Sequence, residues 1–135
     1  MLYGKEHVKA YRETGGQTGH EWQPGVFTLL LTTTGRRSGE QYTTPLIYDE
    51  DGSDYVIVAS KGGEDEHPDW YLNLQEHPEV RIQVVDRVMD AEARTASADE
   101  KARLWPMMAE IWPDYDNYAQ KTERDIPVVV LTPRS

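Results

Sequence analysis

The chain contains no cysteine. That absence excludes disulfides, thiolate nucleophiles and cysteine-held zinc or iron–sulfur clusters, so redox chemistry here requires a borrowed cofactor. Long apolar runs are also missing, and without about twenty consecutive apolar residues a helix cannot cross a bilayer. The first residues, Met1-Leu2-Tyr3-Gly4-Lys5-Glu6, lack the basic-then-apolar order of a secretory signal, which makes the cytoplasm the expected compartment. No internal repeat, low-complexity tract or linker divides the 135 residues, a length suited to a single domain over 1–135. Basic residues are scarce: 14 against 24 acidic ones give a formal charge of −10, which argues against nucleic acid or an anionic membrane as a general partner.

Familiar site patterns are absent as well. There is no G-x-x-x-x-G-K-[S/T] phosphate loop, no G-x-G-x-x-G after a strand, no H-E-x-x-H and no G-x-S-x-G elbow. His67 sits among Asp65, Glu66 and Asp69, but without a strong metal-ligand spacing, so no metal is expected.

What is present is a series of short elements separated by turn signals. Lys5 to Thr14 reads as a helix with Val8 and Tyr11 on one face, closed by Gly15-Gly16. Val26 to Thr34 is rich in β-formers and reads as a largely buried strand. Gln41 to Tyr48 and Tyr55 to Ser60, with the Asp51-Gly52 turn between them, continue it as an antiparallel meander. A short helix is expected over Asp69 to Glu76, and strands over Val80 to Val84 and Val88 to Thr95. Ser97 followed by Glu100 is a capping-box pattern opening a helix through Trp105, Met108 and Ile111, and Ile126 to Thr132 is the closing strand. Six strands and three helices fit an α+β domain whose sheet closes into a barrel and so removes its edges.

Four segments carry possible chemistry. Gly35-Arg36-Arg37-Ser38-Gly39 follows a strand directly, and its backbone N–H groups, two guanidinium forks and hydroxyl suit a phosphate or carboxylate. Between Gln23 and Tyr48 the only acidic residue is Glu40, so the segment is locally cationic; it also reads as buried strand plus a solvated hairpin. Val58-Ala59-Ser60-Lys61-Gly62-Gly63 ends a strand in small residues that would let a flat ring approach the backbone, and equally reads as an ordinary strand exit. Asp69-Trp70-Tyr71-Leu72-Asn73 starts a helix after Pro68 and could present N–H groups to an anion or ring, or supply core aromatics. Trp112, Tyr115 and Tyr118 are spaced three apart, as a core stripe or the lining of an aromatic substrate site.

Taken jointly, Leu30-Leu31-Thr32-Thr33-Thr34-Gly35-Arg36-Arg37-Ser38-Gly39 with Pro45-Leu46, then Ala59-Ser60-Lys61-Gly62-Gly63, His67-Pro68-x-Trp70-Tyr71-x-Asn73-Leu74 and Tyr118-x-x-Lys121-Thr122-x-Arg124-x-Ile126-Pro127-Val128, resemble the deazaflavin-dependent nitroreductases and F420H2-dependent quinone reductases. The resemblance implies a split β-barrel, related to FMN-binding split barrels, that takes reduced coenzyme F420 as hydride donor. It further implies that Arg36, Arg37 and Ser38 hold the coenzyme's phosphate and acidic tail, with Tyr42, Thr43, Thr44, Pro45, Leu46 and Ile47 lining the adjoining strand. Val58, Ala59, Ser60 and Lys61 would meet the ring, Asp69, Trp70, Tyr71, Leu72 and Asn73 would close the opposite side, and Tyr115 and Tyr118, with Ser60, would face the acceptor. The implied acceptor is a small electron-poor molecule such as a quinone, an activated enone or a nitroaromatic. Family members often carry a basic residue where this chain has Tyr42, with Glu40 nearby, so tail binding is expected to rest on the two arginines. The mixed, charged N-terminus argues against direct membrane docking. A conventional flavin in the same barrel, or a carrier that binds F420 without turnover, are the competing readings.

Overall fold

Strand-forming runs and amphipathic segments build eight strands and four helices among residues 2–134, the part of the chain that the computed structural model describes. Helix α1 (Gly4–Thr14) comes first, then β1 (Glu21–Gln23), β2 (Val26–Thr34), β3 (Gln41–Ile47), β4 (Asp49–Asp51) and β5 (Asp54–Val58). A 3-10 turn at Lys61–Gly63 leads to α2 (Asp69–Glu76), β6 (Glu79–Val84), β7 (Arg87–Thr95), α3 (Ala98–Ile111), α4 (Asp114–Lys121) and β8 (Val128–Pro133). All strand pairs are antiparallel, in the order β1-β2-β6-β7-β8-β5-β4, with β3 also on β2. Among the described residues no helix is long and apolar enough to cross a membrane.

The sheet is a split barrel, mixed α+β as expected, but two details differ from the sequence reading. β3 pairs with β2 and β5 pairs with β4 and β8, so the expected three-strand meander breaks into two hairpins. The break falls at Tyr48, whose N–H donates to the Phe27 carbonyl (3.1 Å). Closure is also incomplete, because no ladder joins β3 to β4 or β5 among the described residues. Pro45 is tolerated in β3 because that strand lies at the edge of the sheet, where one row of N–H groups needs no strand partner.

The apolar run Val128-Val129-Val130-Leu131 reflects a strand buried on both faces. Val129 and Leu131 join Tyr55, Ile57, Leu29, Leu31 and Ile82 inside the barrel. Val128 and Val130 join Val56, Val58, Leu104, Met108 and Tyr115 under α3 and α4. The capping box is formed: the Ser97 hydroxyl accepts the Glu100 N–H (3.2 Å), and Glu100 Oε1 accepts the Ser97 N–H (3.0 Å). Arg94 grips the same carboxylate with two bonds of 2.7 and 2.8 Å.

Helix α1 ends as expected at Gly15, in the left-handed region (φ 59°). Its buried face carries His7 and Tyr11, with Val8 only half-buried. The Tyr11 hydroxyl donates to the Thr28 carbonyl (3.0 Å) and accepts the Val85 N–H (2.8 Å), tying the helix to two strand ends. Gly16 lies so close to Val85 that an added Cβ would stand 2.5 Å from its Cα, which only glycine avoids. The stripe Trp112, Tyr115, Tyr118 is split by Pro113: α3 ends at Ile111, Trp112 caps it, and the two tyrosines belong to α4.

Candidate functional site

Where the barrel is split, two cavities meet. One, of about 390 Å³, is walled by β3 residues Thr44 to Ile47, by Val58, Ser60 and Lys61 after β5, and by Trp70, Tyr115 and Tyr118 from the helices. The other, of about 710 Å³, is lined by the Gly35–Ser38 turn, Gln41 to Thr44, Lys5, Asp69, Trp70 and Asn73. Thr44 and Trp70 line both, so the two form one trough with an apolar end and a cationic end.

At the cationic end the turn is shaped by its own backbone. The Gly35 N–H donates to the Glu40 carbonyl (2.7 Å), and the Gly39 N–H donates to the Gly35 carbonyl (3.0 Å). The Ser38 hydroxyl accepts the Glu40 N–H and meets the Tyr42 hydroxyl, each at 3.1 Å. The two arginines have different surroundings. Asn73, 4% exposed, accepts both the Arg36 N–H (3.1 Å) and its Nη1–H (2.8 Å), and its amide donates to Thr33 Oγ1 (3.3 Å). Arg36 also faces the exposed Asp69 carboxylate at 3.4 Å. Arg37 is exposed and holds no ion pair among the described residues. Arg36 is therefore partly committed to α2, whereas the Arg37 charge is available to an incoming anion.

At the apolar end the floor is the Ser60–Gly63 bend. Lys61, Gly62 and Gly63 all have positive φ (46°, 63° and 81°). An added Cβ at Gly63 would stand 2.8 Å from Tyr118 Cα, so glycine there lets the bend pack directly on α4. The bend is held from behind by Arg124, which donates to the carbonyls of Ser60 (2.7 Å), Ala59 (3.3 Å) and Glu64 (2.7 Å) and meets His67 Nδ1 at 3.2 Å. Burial, and then the Arg124 charge, push the His67 pKa below its ordinary value, which favours the neutral ring that accepts this bond.

Tyr115 is buried and meets Tyr118 edge-on at 6.1 Å. Burial, reinforced by the neighbouring Tyr118, raises the Tyr115 pKa and keeps its proton in place. The Trp112 indole N–H points to the Tyr118 hydroxyl at 3.4 Å.

Most of the expected site residues thus line the trough: Arg36, Arg37, Ser38, Tyr42, Thr43, Asp69 and Asn73 at one end, Pro45, Leu46, Ile47, Val58, Ser60, Lys61, Tyr115 and Tyr118 at the other, with Thr44 and Trp70 between. Ala59, Tyr71 and Leu72 line neither cavity. Ala59 and Tyr71 belong to the barrel core, the latter with its hydroxyl bonded to Thr95 Oγ1 at 2.8 Å. Strand and helix periodicity explains this, since neighbours of a wall residue point elsewhere.

The sequence reading missed Leu2, Tyr3, His7, Trp22 and Thr28 at the apolar end and Lys5 at the other. The Trp22 indole N–H donates to the Leu2 carbonyl (2.7 Å), and its ring meets Tyr3 at 5.7 Å and Trp112 at 5.6 Å. These contacts are long-range, and no local pattern announces them.

The chain is similar to known proteins in sequence and in fold. The family model described as F420H(2)-dependent quinone reductase matches residues 3–133. F420H(2)-dependent quinone reductase Rv1261c of Mycobacterium tuberculosis is 42% identical over 131 residues, covering 95% of this chain and 88% of that protein. The solved structure of F420-H2 dependent reductase (FDR-A) matches with a TM-score of 0.71 at 40% identity, over 77% of this chain and 92% of that one. HutZ, a heme storage protein from Vibrio cholerae, shares the fold at 17% identity and a TM-score of 0.63, over 99% of this chain and 92% of that one. By the span of the family match and the identity of these relatives, the chain belongs to the F420H(2)-dependent quinone reductase family.

Proposed function

We propose that the two-ended trough seats reduced coenzyme F420, ring at the apolar end and phosphate with acidic tail at the cationic end, and that the chain reduces a quinone or a similarly electron-poor acceptor. Membership in the family makes the chain an F420H2-dependent oxidoreductase. The observation that carries the site assignment is the continuity of an aromatic-walled chamber with a groove bearing Arg36 and Arg37, which fits a flat ring joined to an anionic chain. When bound, the coenzyme supplies the hydride, and the protein supplies position and electrostatics.

Each end of the site has a distinct task. Arg37, Arg36 and the Ser38 hydroxyl neutralise and orient the anion, while Pro45, Leu46, Ile47 and Val58 offer a dry wall to the ring. Ser60 and Lys61 place a hydroxyl and an ammonium beside the ring's polar edge, on a bend that Arg124 holds in shape. Tyr118 and the buried Tyr115 shape the acceptor side. A protonated phenol or the Ser60 hydroxyl there donates to the acceptor oxygen that gains charge, and positioning in a water-poor chamber supplies much of the rate. Ala59, Tyr71 and Leu72 act from behind the walls.

The test is titration of the purified protein with reduced coenzyme F420, followed by addition of a quinone, an activated enone and a nitroaromatic. Saturable binding and acceptor-dependent return of the oxidised deazaflavin spectrum are expected, with the quinone active. Binding without oxidation by any acceptor would make the protein a carrier, and preferential binding of a conventional flavin would overturn the coenzyme assignment.

A further inference from the structure

One titratable side chain on the wall of the apolar chamber belongs to neither the anion site nor the tyrosine pair. His7 of α1 is 2% exposed and lines the chamber beside Leu2, Tyr3, Trp22 and Thr28. Its Nε2 lies 3.0 Å from the Gly19 carbonyl and 3.1 Å from Thr28 Oγ1, and Thr28 Oγ1 itself donates to the Gly19 carbonyl at 2.7 Å. A carbonyl oxygen only accepts, and the hydroxyl hydrogen is already committed to it, so Nε2 carries a hydrogen and donates. Nδ1 is thus the nitrogen that gains and loses a proton. It has no hydrogen-bond partner among the described residues, where no buried side-chain nitrogen or oxygen goes unpaired. Nδ1 is therefore not enclosed in the core, and the cavity that the ring lines is the apolar chamber. The seat is fitted to this ring, since an added Cβ at Gly19 (φ 108°) would stand 3.0 Å from His7 Cδ2 and 3.1 Å from Nε2.

We propose that His7 is the general acid of acceptor reduction, giving the Nδ1 proton to the acceptor oxygen that gains charge. The proposal rests on the quinone reductase reading. Ser60 and Tyr118 hydrogen-bond the acceptor, and burial keeps the Tyr115 proton in place, so a group that gives up a proton and regains it near neutral pH is what completes the reaction. The hydride carries two electrons to the quinone, the electron pair displaced onto a ring oxygen takes the proton from Nδ1, and His7 is left neutral with its Nε2–H still bonded to Gly19 and Thr28. Oxidation of the coenzyme releases one proton to solvent and His7 takes one back, so atoms and charge balance. The titratable groups around the ring are Tyr11 on the same helix (6.2 Å), Tyr3 before it, and Lys61, Tyr115 and Tyr118 on other walls of the chamber. Beyond Tyr11 stands His20 (6.4 Å from it), with Tyr48 bonded to its Nε2 and Glu21 beside it, while β2 presents only the Thr28 hydroxyl. Burial raises the Tyr11 pKa and lowers that of His20, which the Glu21 charge partly offsets. His20 and His67 line neither end of the trough, which leaves His7 as its one histidine among the described residues.

The experiment compares the parent with His7→Gln, whose amide N–H still reaches the Gly19 carbonyl but which cannot titrate. Steady-state quinone reduction is followed against pH, with coenzyme affinity and a thermal melt measured on the same samples. In the variant kcat is expected to fall about a hundredfold, the lower end of what a positioned acid contributes, with coenzyme affinity and melt near those of the parent. The parent's rate should decline as pH rises and His7 loses its proton, and the variant should lack that step while keeping any due to His20 or His67. A second readout needs no turnover: ¹⁵N NMR of the imidazoles, with His7 assigned through its own backbone, before and after a hydroquinone is added to the protein. The neutral His7 ring should carry its hydrogen on Nε2, and the Nδ1 signal should shift on hydroquinone binding. A folded His7→Gln variant with the parent's kcat and pH profile would overturn the proposal. So would a neutral ring protonated on Nδ1, or an Nδ1 signal that hydroquinone leaves unmoved, whether or not the variant folds. A parent that reduces no acceptor at any pH would overturn the quinone reductase reading itself, an outcome distinct from the failure of His7 alone.

Discussion

Arg124 offers a sharp test of how the ring floor is held, because one side chain satisfies three backbone carbonyls and the His67 ring behind the Ser60–Gly63 bend. Replacing it with methionine keeps much of the packing volume and removes every donor. A hydrogen bond from a charged group contributes about 1.5–3 kcal/mol net when sheltered. The bond to Glu64 is exposed, and water replaces it at small cost. The part-buried bonds to Ser60 and Ala59 are not so easily replaced, and the latter is long. Their joint loss is expected to cost about 2–4 kcal/mol, a large fraction of a typical domain's 5–15 kcal/mol. Because the bend also floors the apolar chamber, Arg124→Met should weaken coenzyme binding along with stability. Arg124→Lys retains the charge but cannot fork to several acceptors, and should recover only part of either loss. Chemical denaturation with fluorescence titration of the coenzyme measures both effects. If Arg124→Met matches the parent in stability and affinity, the bend is self-supporting and Arg124 does not hold it.

Three further outcomes separate binding from folding. Arg37→Ala should lower coenzyme affinity about fivefold with an unchanged melting temperature, while Arg36→Ala should lower affinity and also cost about 1–2 kcal/mol of stability, because buried Asn73 loses the guanidinium donor and keeps only the backbone N–H; equal melts for the two would erase the distinction. Tyr118→Phe should slow quinone reduction with coenzyme affinity unchanged, whereas Tyr115→Ala should chiefly destabilise, by about 3–5 kcal/mol, because Tyr115 is only 5% exposed; steady-state kinetics and denaturation on the same samples check both. Stability should fall with acid in two steps: the Arg94 bonds hold the Glu100 pKa down to about 2 from 4.5, and burial beside Arg124 lowers that of His67 from 6.5. Both folded values are depressed, so each contribution is complete above the unfolded pKa and is lost as pH falls through the folded one. A flat denaturation midpoint between pH 7 and pH 3 would contradict this.

The sequence by itself determined the elements whose signals are local. Val26–Thr34 became a strand over the bounds read from its β-formers, Ser97 and Glu100 formed their capping box, and Gly15 closed α1 in the left-handed conformation only glycine adopts freely. The arginine turn, the small-residue bend after β5 and the start of α2 were each legible as places where a ligand can approach backbone, and together they carried the family resemblance. What was not legible follows from contacts that no period encodes. Sequence spacing could not tell that Gln41–Ile47 does not pair with Asp54–Val58, because strand pairing is decided by competition among all strands, and β8, whose partners lie 70 to 76 positions on, pairs there instead. It could not place Trp22 and Tyr3 over the apolar chamber, nor show that Ala59 and Tyr71 turn inward while their neighbours form the wall. Nor could it divide the labour of the two arginines, which are adjacent and identical in sequence. Only the fold, by bringing Asn73 of α2 against the turn, ties Arg36 down and leaves Arg37 available to an anion.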